Sequence, residues 1–131
     1  MCGISGLIGQ SKDPELSFLL SSKLFEKIET RGRDAAGFWA SNKNNNIIYH
    51  KEPIESTKLV KKSFWEKIRK FNPNVMLCHA RKASAGVGIP DVNKNNHPFV
   101  NHDKKTALVS LSLERHRPSW FTSEVISMAL A

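Results

Sequence analysis

The chain has 131 residues and a formal net charge of +8, the length of one domain with a core and too little for a second. Apolar residues at 40% and charged residues at 24% sit near globular averages, which excludes wholesale disorder and the fibrous classes. No apolar run reaches the roughly 18 residues of a membrane span, and no charged leader with an apolar centre precedes Cys2, so a cytoplasmic protein without membrane contact is expected.

Gly3 to Gly9 (GISGLIG) reads as a short, glycine-rich buried strand. Asp13, Pro14 and Glu15 supply an N-cap, a proline at the first helical position and an acidic first turn, predicting an amphipathic helix to about Glu29. A glycine-containing turn, Arg31 to Gly37 (RGRDAAG), leads to a strand at Phe38 to Ala40. The Asn-rich stretch Asn42 to Asn46 then turns the chain into a second strand, Ile47 to His50, making a hairpin. Gly32 and Gly37 are read as sharp backbone turns.

Leu59, Val60, Phe64, Ile68 and Phe71 recur at helical spacing, which predicts a helix from about Glu55 to Lys70, stopped by Pro73. The bases on this segment, Lys58, Lys61, Lys62, Lys67, Arg69 and Lys70, raise the question of an anionic partner. No nucleic-acid reader motif accompanies them, so a solvated helix face is the reading taken. Asn74 to His79 (NVMLCH) suits a central strand that opens into the small-residue loop Ala80 to Gly88, and Thr106 to Leu113 reads as a further strand. The order predicts an α+β fold with helices packed on an antiparallel or mixed sheet.

Two cysteines are too few for a disulfide framework and lack metal-type spacing. Cys78, on an apolar run, is read as core. Cys2 differs in its chemistry. A small second residue permits removal of Met1, which leaves a thiol and a free α-amine on one residue. That amine, with an ordinary pKa of about 7.7 to 8.0, is partly neutral near pH 7 and can accept the thiol proton.

Four segments in order, MCGISGLIG, RGRDAAG, HARKASAG at His79 to Gly86 and NNHPF at Asn95 to Phe99, resemble class II glutamine amidotransferase domains over about residues 2 to 109. The resemblance implies the αββα sandwich of N-terminal nucleophile hydrolases. It implies that Cys2 attacks the side-chain amide of glutamine, that ammonia leaves for a separate acceptor synthase, and that water hydrolyses the thioester to glutamate. Arg81 matches the arginine that grips the substrate α-carboxylate, a task for a planar bidentate donor. Ala83, Ser84 and Gly86 match the loop beside the substrate. Arg31, Asp34, His79, Asn96 and His97 match supporting positions that fix the turn and brace the site. No cofactor and no metal is implied, since no GxGxxG, phosphate loop or metal-ligand cluster is present.

The resemblance fails after Val109. The family's oxyanion donors come from an Asn-Gly pair after the strand matched by Thr106 to Val109. Here the chain reads Ser110, Leu111, Ser112, with no Asn or Gly after Asn101. Residues 110–131 diverge, and Thr122 stands where the resemblance places an Asp for the substrate α-amine. A single domain, 1–131, incomplete towards its C-terminus is therefore expected. Two readings stay open: a glutaminase that delivers ammonia to a synthase subunit, and an altered, weak or inactive relative acting as a binding or regulatory module.

Overall fold

The computed structural model describes residues 2–9, 12–83, 90–101 and 107–108. Strand β1, Gly3–Ile8, is followed by helix α1, Pro14–Ile28, and a 3-10 turn, Glu29–Arg31. Strands β2 (Ala35–Ser41) and β3 (Ile47–Glu52) form the expected hairpin. Helices α2 (Ser56–Leu59) and α3 (Trp65–Phe71) precede β4 (Val75–Arg81), and a two-stranded ribbon pairs β5 (Phe99–Val100) with β6 (Ala107–Leu108). The four long strands form one antiparallel sheet in the order β1-β4-β2-β3. The whole is an α+β arrangement.

The local signals act as their chemistry dictates. Asp13 caps α1 by accepting from the Leu16 amide at 3.0 Å, with Pro14 in the first turn where no donor is needed. The hairpin turn closes on the Asn42 side chain, whose Oδ1 accepts from the Asn44 and Asn46 amides at 3.1 and 3.0 Å, while Asn45 takes φ 58°. Helix α3 ends at Asn72, left-handed at φ 50°, and Pro73 follows.

The expected single helix over 55–70 is two helices. Tertiary packing overrides the helical spacing at 60–64: Phe64 and Trp65 are adjacent, yet both rings meet Phe38, at centroid distances of 6.0 and 5.3 Å. A straight helix would turn them about 100° apart. Trp65 also packs on Phe25 at 5.5 Å and donates its indole N–H to the Ser22 hydroxyl at 2.9 Å. Ala36, Phe38, Ala40, Met76 and Cys78, alternate residues of the central strands, share this core with Phe25, Leu59 and Ile68. Fully burying Phe25 or Phe38 contributes about 1.5–3 kcal/mol each. Several bases of the α2–α3 segment are ion-paired within the chain, Lys58 to Glu55 at 2.6 Å, Lys62 to Glu52 and Arg69 to Glu15 at 2.7 Å.

Residues on the opposite sheet face, Ala35, Trp39, Leu77, His79 and Arg81, are also buried. The segment 96–98 lies over this face: the His97 ring stacks on His79 at 4.3 Å, and the peptide of His97 and Pro98 crosses Gly37. Gly37 and Gly32 are therefore not sharp turns. Gly37 is inside β2, where a Cβ would stand 2.8 Å from Lys51 Cβ, 3.0 Å from Pro98 Cδ and closer still to the His97 carbonyl oxygen. Gly32 is extended, at φ −172° and ψ 133°, and its need is likewise for close approach. Of the strand expected over 106–113, Ala107–Leu108 is β6, and the remaining positions lie outside the described residues.

Candidate active site

Antiparallel pairing of β1 with β4 aligns Gly3 with Ala80, so Cys2 comes level with Arg81 one step beyond. The Cys2 thiol is 7% exposed and free of any disulfide, and its Sγ lies 3.7 Å from the Lys82 carbonyl oxygen, to which it is a weak donor. Arg31 reaches the same end of β1, since a Cβ on Gly3 would stand 3.1 Å from Arg31 Cβ. Cys78, by contrast, is fully within the core, and burial pushes its thiol well above the usual range, outweighing a hydrogen bond to Ser5. Cys78 is thus a packing residue, whereas Cys2 lies at the end of β1.

Asp34 ties the start of β2 to the end of β4. Its amide donates to the Arg81 carbonyl at 2.9 Å, and its Oδ2 accepts from the Ala83 amide at 2.6 Å. Residues Glu29 to Asp34, with Lys82, line an open groove of about 610 Å³ beside this clamp. The turn is fixed from behind by Glu29, whose Oε2 accepts from the Thr57 amide at 2.8 Å and the Ser56 hydroxyl at 3.3 Å, joining the end of α1 to the start of α2. Burial works to raise the Glu29 carboxyl, but those bonds and the Arg33 guanidinium outweigh it and hold it below the usual carboxylate value.

Arg81 is 7% exposed and donates to Asn96 Oδ1 at 2.7 Å. Asn96 is fully buried, and its Nδ2 donates to the Pro90 carbonyl at 2.7 Å and to Asn93 Oδ1 at 3.2 Å. His97 beside them is pushed down to about 4, first by burial and then by the nearby charges of Arg81 and Lys51. The structure thus gathers Cys2, Arg31, Asp34, Arg81 and Ala83 at one end of the sheet, with His79, Asn96 and His97 on the adjoining face. Ser84 and Gly86 lie outside the described residues. Among the described residues no group of three or more His, Cys, Asp or Glu could hold a metal ion, and no helix is long and apolar enough to cross a membrane.

No family model matches the chain. Over 110 residues, 83% of its length, it is 34% identical to the glutamine–fructose-6-phosphate aminotransferases [isomerizing] of Staphylococcus aureus strains Mu50, N315 and COL. The chain is similar in sequence to these aminotransferases. The matched stretch is 16% of each relative, so the chain spans about a sixth of their length.

Sequence reasoning missed Lys51. Its Nζ donates to the Asn96 carbonyl at 2.7 Å and the Pro98 carbonyl at 3.1 Å and lies 5.2 Å from the centre of the Phe99 ring. Asn93 returns the contact, donating from Nδ2 to the Lys51 carbonyl at 2.7 Å. Burial holds the ammonium below the usual lysine value. Nothing near Lys51 in sequence announces this; only its pairing with Gly37 across the hairpin brings it over the 96–98 segment.

Proposed function

We propose that the chain is a glutaminase-type domain of the class II glutamine amidotransferases, with Cys2, freed as the first residue by loss of Met1, as nucleophile. The observation that carries this reading is the β1–β4 register, which brings Cys2 level with the buried Arg81. The 34% identity to glutamine–fructose-6-phosphate aminotransferases supports glutamine as the substrate. The sheet, with helices on one face and the 96–98 segment on the other, is compatible with part of an αββα sandwich.

In this reading the α-amine of Cys2 takes the thiol proton and Sγ adds to the glutamine Cδ carbonyl. The tetrahedral adduct collapses as the amide nitrogen, protonated from the ammonium of Cys2, departs as ammonia. Water then cleaves the γ-glutamyl thioester, releasing glutamate and restoring the thiol. Arg81 holds the α-carboxylate, and Asp34 and Arg31 fix the backbone around it. The ammonia passes to an acceptor-bearing synthase.

The second reading, an altered relative that binds glutamine with little turnover, is favoured by Ser110, Leu111 and Ser112, which stand where the family has its Asn-Gly oxyanion pair. Loss of one oxyanion donor typically costs on the order of 100- to 1000-fold in rate. Glutamate release from glutamine is measured on protein confirmed by mass spectrometry to begin at Cys2, alongside Cys2→Ala. Release that depends on Cys2 is the expected result. Release unchanged in Cys2→Ala overturns the nucleophile, and glutamine binding without release selects the second reading.

A further inference from the structure

We infer that Lys51 is a positioning residue for Arg81, acting through Asn96; the inference rests on the reading of Arg81 as the glutamine carboxylate grip. Asn96 Oδ1 is an acceptor that the buried Arg81 guanidinium meets at 2.7 Å, so where Asn96 is held bears on the aim of Arg81. The Nδ2 end of the same amide donates within its own loop, to the Pro90 carbonyl and Asn93 Oδ1. Beside the stacking of His97 on His79, Lys51 on β3 ties the backbone of that loop to the sheet, bonded to the carbonyls of Asn96 and Pro98 on either side of His97.

The arrangement depends on an ammonium group. Its partners here are two carbonyl oxygens and an aromatic ring, which it satisfies as a compact multiple donor. The stem needs the space that Gly37 leaves opposite it, where a side chain would meet Lys51 Cβ at 2.8 Å. Replacing the ammonium by an apolar group of similar length leaves both carbonyls without their donor and releases the loop that carries Asn96. Lys51 does not contact Cys2 in this arrangement, so its effect falls on substrate binding.

The test uses the full chain carrying Cys2→Ala, so that glutamine binds without turnover, and adds Lys51→Met, Lys51→Arg or, as a control, Lys58→Met. Glutamine affinity is read by calorimetry, and the Arg81 side-chain Nε–H resonance by nitrogen-15 NMR. Lys51→Met is expected to weaken glutamine binding roughly tenfold and to shift the Arg81 resonance. Lys51→Arg, which keeps cationic donors, restores most of both, and Lys58→Met changes neither. A folded Lys51→Met chain with parental affinity and an unmoved Arg81 resonance overturns the inference. Should Lys51→Met fail to fold, Lys51→Gln, whose amide is uncharged and one atom shorter than the ammonium stem, is read in the same way. If the Cys2→Ala parent binds no glutamine, the substrate reading falls, and the Arg81 resonance alone decides Lys51: a shift upholds the link and its absence overturns it.

Discussion

Gly32 lies against the peptide that joins Arg81 to Lys82: a Cβ on Gly32 would stand 2.5 Å from the Lys82 nitrogen and 2.6 Å from the Arg81 carbonyl oxygen. These are backbone atoms of a strand end, which cannot swing aside as a flexible side chain would. Gly32→Ala therefore has to push the Arg81 end of β4 away from the turn that Asp34 clamps. The expected cost is about 1–3 kcal/mol, seen as a lower midpoint in chemical denaturation, together with faster alkylation of Cys2. An unchanged midpoint and an unchanged alkylation rate would show that the strand end yields freely.

Asn96 is a buried amide with both ends engaged, and Arg81 is the charged partner at one of them. Asn96→Ala removes an acceptor from a guanidinium that has little access to water. A hydrogen bond to a charged group is worth about 1.5–3 kcal/mol net, and Asn96→Ala should destabilise by at least that amount. Asn93→Ala, at an exposed position, takes from Asn96 only a longer, neutral acceptor at 3.2 Å and should cost less than half as much. Equal losses in the two variants, measured by urea denaturation, would mean that Asn96 acts only through the loop and not through Arg81.

The sequence made legible whatever rests on local chemistry. Asp13 with Pro14 announced α1, the asparagines at 42–46 announced the hairpin, and the apolar run at 74–79 announced β4. The burial of Cys78 followed from that run. Features that depend on packing between distant segments were not legible. The break at 60–64 arises because Phe64 and Trp65 both reach Phe38. Gly32 and Gly37 look like turn glycines in sequence, yet each is required by a chain crossing it, one from β4 and the other from the 97–98 segment. Lys51 carries no motif at all. The placing of Cys2 beside Arg81 needed the β1–β4 register, which residues 79 positions apart in the chain cannot reveal by spacing.

Glu29 is a carboxylate set at the joint between α1 and α2, accepting from Ser56 and Thr57. Its folded value lies below the ordinary one, so its contribution is fully present above about pH 4.5 and is lost as the pH falls through the depressed value. Glu29→Gln retains one acceptor oxygen but loses the charge. It should lower stability at pH 7 by about 1 kcal/mol, and by less as the pH falls through the depressed value and the wild-type carboxyl takes up its proton. A difference of constant size across the acid limb of the denaturation profile would assign the effect to shape and not to charge.

His97 sets a second pH dependence at a higher range. In the folded chain burial, reinforced by Arg81 and Lys51, pushes it down to about 4, whereas in the unfolded chain it titrates near 6.5. Between those values the unfolded state takes up a proton that the folded state refuses. The stability associated with neutral His97 is therefore complete above pH 6.5, declines as the pH falls, and levels off below about 4. Linkage limits the loss to about 3 kcal/mol, and partial exposure of the ring reduces it further. Glu29, Glu52 and Glu55 are held below their ordinary value of 4.5, so their contributions are lost mainly at the acid end of this window and below it. Urea denaturation at pH 7 and pH 5 should thus show wild-type stability falling, and His97→Phe, which keeps a ring against His79, should fall distinctly less. Parallel declines in the two proteins would place the titrating group elsewhere.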